Sequence, residues 1–429
     1  MGADSGVGSR MVQQVMMDLL EKYSKVRAKF FKSFIAVGDP AQPGTNLPAV
    51  SRHAFYRGSS IMTWGDTTIV LGEYIAFLAT EFKRLELDGE NGTDSLVKLY
   101  LALLSLHRLD ETAERYYREN GTVVVNDVNG FFIRDDVDSS FLERNPDLKS
   151  WEFGPVDQVR TDFTSTSETL KEMSQDQCWS LLLGLSLTVK LFEDRLYTIQ
   201  FNEDSVPFNP HRLAKTLTSR IIGYMSSGGW EIVNPVTGVP VARGSDVSLN
   251  AWAFVECHNF ICGKGSLPNL SKNLPTFSKL TYLAAFHLSN FLYTKLLPRS
   301  KWLRDRIPVK DYSFSILNAI GSLVKGTMRH LEENVTVRDN YSHLPLLHKL
   351  LYPSAELTIP KEWYEEFLGQ SAVHNYKYGE DSSNHRWSAT DNLFNSDCRG
   401  SANWLNGYYS GLDYLLLYNL YRLVYPPAK

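Results

Sequence analysis

Residues 67–85 read Thr67-Thr68-Ile69-Val70-Leu71-Gly72-Glu73-Tyr74-Ile75-Ala76-Phe77-Leu78-Ala79-Thr80-Glu81-Phe82-Lys83-Arg84-Leu85. Leu71, Tyr74, Ile75, Leu78, Phe82 and Leu85 recur at the i, i+3, i+4, i+7 spacing that gathers apolar side chains on one face of a helix. The next residues, Asp88-Gly89-Glu90-Asn91-Gly92, carry the Gly and Asn that tight turns need, and Leu96 to Tyr117 is again periodic. Two helices joined by so short a turn lie antiparallel, as a helical hairpin.

Outward from this hairpin, the same period predicts helices near residues 11–35, 174–196, 210–226, 246–262, 275–297, 311–331, 342–352, 361–370 and 410–424. Strand signals are sparse. Thr122-Val123-Val124-Val125 with Gly130-Phe131-Phe132-Ile133, and Trp230 to Val241, each read as a small β-hairpin. The expected class is all-α: an (α/α) toroid or barrel of antiparallel helix pairs with small β-hairpin insertions. The 429 residues exceed the usual size of one domain. A fold that grows by adding similar hairpins accommodates them as a single domain over 1–429, with loop insertions near 119–170 and 372–408. Loops of that length on a helical scaffold are where function tends to sit.

Three helix starts have the capping-box form, in which a hydroxyl and an acid or amide three residues on satisfy each other's backbone N–H. They are Thr63-Trp64-Gly65-Asp66, Ser174-Gln175-Asp176-Gln177 and Ser410-Gly411-Leu412-Asp413, each before an apolar run. In a toroid the inner helices run the same way, so these starts should converge on one face.

Composition narrows the function. The net charge of −4 comes without a dense run of Lys or Arg, which argues against a nucleic-acid partner. No apolar stretch reaches the roughly 18–20 uncharged residues that span a bilayer. Cys178, Cys257, Cys262 and Cys398 lack zinc spacing and read as free thiols. Phosphate-cradling Gly loops, the Gly-x-Ser-x-Gly elbow, His-Glu-x-x-His and the dinucleotide fingerprint are missing from the sequence, which leaves kinase, serine hydrolase, zincin and dehydrogenase chemistry without support. The first residues lack a signal peptide, and the sequons beginning at Asn91, Asn120, Asn269, Asn334 and Asn340 are short enough to arise by chance.

The blocks Trp64-Gly65-Asp66, His107 to Glu114, Gly130 to Asp136, Met173 to Gln177 and Gly411 to Tyr414 resemble those of uncharacterised bacterial exported proteins with a helical toroid. More loosely, the architecture resembles the helical-barrel carbohydrate-active enzymes, whose members include inverting glycosidases and polysaccharide lyases. That resemblance implies a cleft at one face of the toroid, an oligo- or polysaccharide partner and an extracytoplasmic location.

Glycoside hydrolysis needs two carboxylates flanking the scissile bond. Asp136, Asp176 and Asp66 are the catalytic candidates, with Arg134, Asp135, Gln177 and Asp413 beside them for substrate binding. Each has a bland alternative: Asp66 and Asp413 serve as capping acids, Asp176 meets a helix dipole, and Arg134 with its neighbouring acids forms a loop clamp. A lyase would instead use a Tyr or His base with a cation, types supplied by Tyr341, His343, His385 and Arg386. Trp387 and Trp404 could stack on sugar rings or merely anchor a polar lid. A third reading is a non-catalytic glycan- or protein-binding module. Cofactors are not expected, apart from Ca²⁺ near Asp127, where Asn126 to Asp138 is dense in oxygen donors but places Val125 at the first ligand position of an EF-hand loop.

Overall fold

The computed structural model describes residues 4–33 and 60–62, then 67–278 with short gaps, and 346–353, 361–370 and 411–427 in part. The chain is mostly helical with few strands. The helices are α1 (Asp4–Ser33), α2 (Thr67–Asp88), α3 (Thr93–Asn120), α4 (Phe141–Arg144), α5 (Gln175–Leu191), α6 (Pro210–Ser227), α7 (Ala251–Cys262), α8 (Lys361–Gln370) and α9 (Leu412–Val424). The short strands are β1 (Ser60–Met62), β2 (Gln158–Arg160), β3 (Tyr197–Phe201) and β4 (Asp204–Phe208). The helices expected at 275–297 and 311–331 lie almost wholly outside the described residues.

Helix α2 is the centre of the fold. Every residue from Leu71 to Glu81 is buried, so this helix is enclosed on all sides rather than along one stripe. Its tightest neighbour is α5. A Cβ on Gly72 would lie 2.3 Å from the carbonyl carbon of Ser180, and one on Gly184 would lie 2.4 Å from the Gly72 carbonyl oxygen. The two backbones touch, and only glycine permits that approach. Further along, the rings of Phe82 and Phe192 stack at 4.8 Å. Contacts at Gly72–Ser180, Ile75–Gly184 and Phe82–Phe192 advance together along both chains, so α2 and α5 are parallel.

Helix α9 extends this row on the other side. Arg84 Nε donates to Asn419 Oδ1 at 2.9 Å, and Arg422 Nη2 donates to Asp88 Oδ1 at 2.9 Å, again in ascending order on both helices. At the far end α7 joins through the stacked rings of Trp179 and Phe254, 3.8 Å apart. The connecting helices run against the row. In α1, Phe30 meets Tyr74 and Phe77 while Arg27 meets Glu81, and between α6 and α7 Lys215 and Ser219 meet Cys262 and His258 in descending order. Among the described helices, α9, α2 and α5 thus run parallel, with α1 antiparallel to α2 and α6 antiparallel to α7.

A polar lock holds the C-terminal end of α2 against its neighbours. The Glu81 carboxylate accepts hydrogen bonds from Tyr23, from Arg27 Nε at 2.6 Å and from Ser95 Oγ at 2.6 Å, joining α1, α2 and α3. The Arg84 guanidinium lies over Tyr23 and Tyr418, and Asp88 takes both Arg84 and Arg422. Burial and the neighbouring Glu81 carboxylate drive the Tyr23 hydroxyl well above its ordinary pKa. This phenol therefore stays a donor at any physiological pH.

The β elements differ from the sequence expectation. Residues 122–125 and 130–133 do not pair. Val124 N–H instead donates to Pro235 O at 2.9 Å, while 130–137 runs as a buried strap, described below. Trp230 to Val241 does fold back on itself, through the Val233–Pro240 bridge and an Asn234 side chain that accepts from Val236 N–H at 2.9 Å. A hairpin that the periodicity missed joins β3 and β4 across Glu203, whose φ is 70°. Strands β1 and β2 pair in parallel.

Candidate functional site

The row of parallel helices fixes where the sequence candidates stand. At the head of α5, Ser174 has an extended backbone and forms the expected capping box with Gln177, whose Oε1 accepts from Ser174 N–H at 3.0 Å. Gln177 is thereby a buried capping amide. Asp176 is the second residue of α5, and Asp66 directly precedes α2 in sequence. The register of α2 on α5 brings Thr67 level with Gln175, so these two helices start at the same height. The α9 cap departs from expectation: Gly411, at φ 85°, is the N-cap, in place of Ser410. Gly411 lies against α1, where its Cβ would come 2.7 Å from Val26 Cγ1, and this contact sets the start of the helix. By the Arg84–Asn419 register Leu412 is level with Phe77, about ten residues or roughly 15 Å along from the heads of α2 and α5. Asp413 thus shares their direction but not their height.

The strap carrying Arg134, Asp135 and Asp136 is not open to a cleft. All residues from Gly130 to Val137 are buried. Gly130, at φ 95°, enters against α6, where a Cβ would lie 2.0 Å from the Arg220 carbonyl oxygen, and its N–H donates to Asp110 Oδ1 at 2.9 Å. The other Asp110 oxygen accepts from Arg220 Nε at 2.5 Å. Burial raises the Asp110 carboxyl pKa, only partly offset by Arg220 and the Gly130 N–H. Arg134 Nε donates to the Glu172 carbonyl at 2.6 Å, and Asp135 Oδ1 accepts from Val137 N–H at 3.1 Å. Asp136, 1% exposed, takes Arg108 bidentately, with Nε to Oδ2 at 2.7 Å and Nη2 to Oδ1 at 3.1 Å.

These pairings are those of a scaffold. The strap welds α3, α6 and the approach to α5, where Glu172 in turn accepts from Asn234 Nδ2 at 2.8 Å and Ala242 N–H at 3.1 Å. Asp136 is therefore accounted for as the partner of a buried arginine. Arg134, Asp135 and Gln177, expected at a binding surface, are likewise bonded into the body of the protein. Asp127 Oδ1 accepts from Asn129 N–H at 2.9 Å, the local turn such a sequence favours. Among the described residues no group of three His, Cys, Asp or Glu side chains could hold a metal ion, and no helix is long and apolar enough to cross a membrane. Tyr341, His343, His385, Arg386, Trp387 and Trp404 lie outside the described residues, as does Asp66.

The sequence reading missed the Glu81–Arg84–Asp88 lock, the densest ionic cluster described. Its signal was present: a helix apolar enough to be enclosed on all sides still carries Glu81 and Arg84, and charges on such a helix must find partners. The lock lies at the end of α2 remote from the helix heads and joins four helices, which makes it structural.

No family model, curated protein or solved structure matches this chain.

Proposed function

We propose that this chain is a glycan-active protein on an (α/α) toroid, and that it hydrolyses a glycosidic bond at the face where α2 and α5 begin. The observation that carries the reading is the parallel, level packing of these two helices, which begin at the same height with Asp176 in the first turn of α5. Asp66 and Asp176 are the acid and base of this proposal, an inverting pair whose carboxyl groups stand roughly 6.5–9.5 Å apart to leave room for a water. Asp413, roughly 15 Å along, is too far to be the second member of that pair and serves substrate binding instead. The closing of the helices into a ring, a single domain over the whole chain and an exported location belong to the same reading.

A panel of oligo- and polysaccharides assayed for new reducing ends and for ultraviolet absorbance tests it. Hydrolysis gives reducing ends without absorbance, with inversion at the anomeric carbon by NMR, and Asp176→Asn abolishes the product while leaving the melting temperature within about two degrees. Absorbance would mean elimination, and turnover unchanged by Asp176→Asn would remove the assigned pair. The second reading, a non-catalytic glycan-binding module, is favoured by one observation: the acids of the 130–137 strap are all engaged within the scaffold. Binding without product from any glycan would select it.

A further inference from the structure

The turn between α2 and α3 ends in Asn91-Gly92, which belongs to neither helix, and Asn91 is exposed. Asn91 Oδ1 accepts from Thr93 N–H at 2.9 Å, so the side-chain amide is folded forward across the Gly92 peptide. The Gly92 N–H itself meets no hydrogen-bond acceptor among the described residues. Glycine is required at 92, because a Cβ there would lie 2.8 Å from Phe82 Cδ2, and its bare backbone leaves the nitrogen open to approach. A carbonyl carbon and an uncommitted peptide nitrogen are thereby held side by side in water.

Asn precedes Gly again at Asn120-Gly121, Asn129-Gly130 and Asn406-Gly407, the last outside the described residues. The geometry differs at each described pair. Asn120 is the last residue of α3, and its amide points back down the helix, Nδ2 donating to Tyr116 O at 2.9 Å. Asn129 turns its amide back to Asp127, and the buried Gly130 N–H is committed to Asp110 Oδ1 at 2.9 Å. Among the described pairs, only Asn91-Gly92 combines a forward-folded amide with a free glycine nitrogen.

We propose that Asn91 is a site of intramolecular deamidation, selected by the fold from among the Asn-Gly pairs. The Gly92 nitrogen gives up its proton to hydroxide and attacks Asn91 Cγ. The bond from Cγ to Nδ2 breaks, and that nitrogen leaves as ammonia after taking a proton from water. Negative charge gathering on Oδ1 during the attack faces Thr93 N–H, a donor already in place. Solvent water then opens the five-membered imide at either carbonyl, giving aspartate or isoaspartate. In sum one asparagine and one water become one acidic residue and one ammonia, and the turn gains a negative charge between Glu90 and Asp94. The test incubates the native protein in mildly alkaline buffer, measures conversion of each Asn-Gly peptide by mass spectrometry after digestion, and repeats the incubation in urea. Native Asn91 should convert at least about tenfold faster than Asn129, where a hydrogen bond to a carboxylate must break first, and than Asn120, where the amide must leave Tyr116 O and turn past the helix end. In urea the three rates should fall within about threefold of one another. Conversion of Asn120 or Asn129 as fast as that of Asn91 in the native protein would overturn the proposal, as would native Asn91 reacting about tenfold more slowly than in urea.

Discussion

Replacing Asp136 by Asn separates a structural carboxylate from a catalytic one. The substitution keeps size and shape but removes the charge that faces Arg108, a guanidinium only 6% exposed and held through Nε and Nη2. Arg108 Nη1 has no hydrogen-bond partner of its own, so Asp136 is what compensates this buried cation. Stranding one member of a buried ion pair costs about 3–5 kcal/mol, a change in the unfolding equilibrium of roughly 10² to 10³·⁵. Urea denaturation followed by tryptophan fluorescence should show a lower midpoint with an unchanged slope. The double variant Arg108→Met/Asp136→Leu, which removes both charges, should recover most of the loss. A singly substituted protein as stable as wild type that had lost all glycan turnover would refute the reasoning and return Asp136 to the reacting centre.

Two further outcomes follow from packing and burial. Gly72→Ala forces a methyl to about 1 Å inside normal contact distance of the Ser180 backbone; with both helices enclosed, we expect destabilisation of about 3 kcal/mol or more, whereas Gly223→Ala, where a Cβ meets nothing within 4 Å, should be neutral or slightly stabilising. His258 is fully buried at the α6–α7 contact, and burial lowers its pKa from 6.5 to about 4. The folded state therefore resists protonation while the unfolded state accepts it, so stability is intact above about pH 6.5 and falls as pH drops toward 4, by up to about 3 kcal/mol. Melting curves at pH 7.5 and 4.5 should show that sensitivity reduced in His258→Phe; an equal drop in both proteins would mean that other groups carry it.

The parts of the fold written into local periodicity were legible. The α2–α3 hairpin followed from apolar spacing and the Gly-Asn turn, and the head of α6 near 210 is set by Asn209, whose side chain accepts from Arg212 N–H at 3.0 Å, with Pro210 at the first position. The strap at 130–137 was not legible. Its Asn, Asp and Gly content reads as a solvated loop, and its burial depends on Arg108, Asp110 and Arg220, whose contacts span up to 110 residues. Nor could periodicity reveal that α2 and α5 touch through their backbones, because Gly72 and Gly184 look like interruptions until they face each other. The β3–β4 hairpin was hidden because its first strand begins directly beyond an apolar run that reads as helix to residue 196. Of the candidate site, the head of α5 was anticipated from its cap, while the cap expected at Thr63–Asp66 lies outside the described residues and the pairing of Asp136 with a buried arginine was not anticipated.

Hydrogen–deuterium exchange with and without the best oligosaccharide of the panel locates the binding face directly. If glycan binds where the parallel helices begin, added protection falls on the peptides covering the head of α5, residues 171–178, and the start of α2 at Thr67–Gly72. Protection confined instead to the opposite end, over Arg84–Asp88 and Asn419–Tyr425, would contradict it.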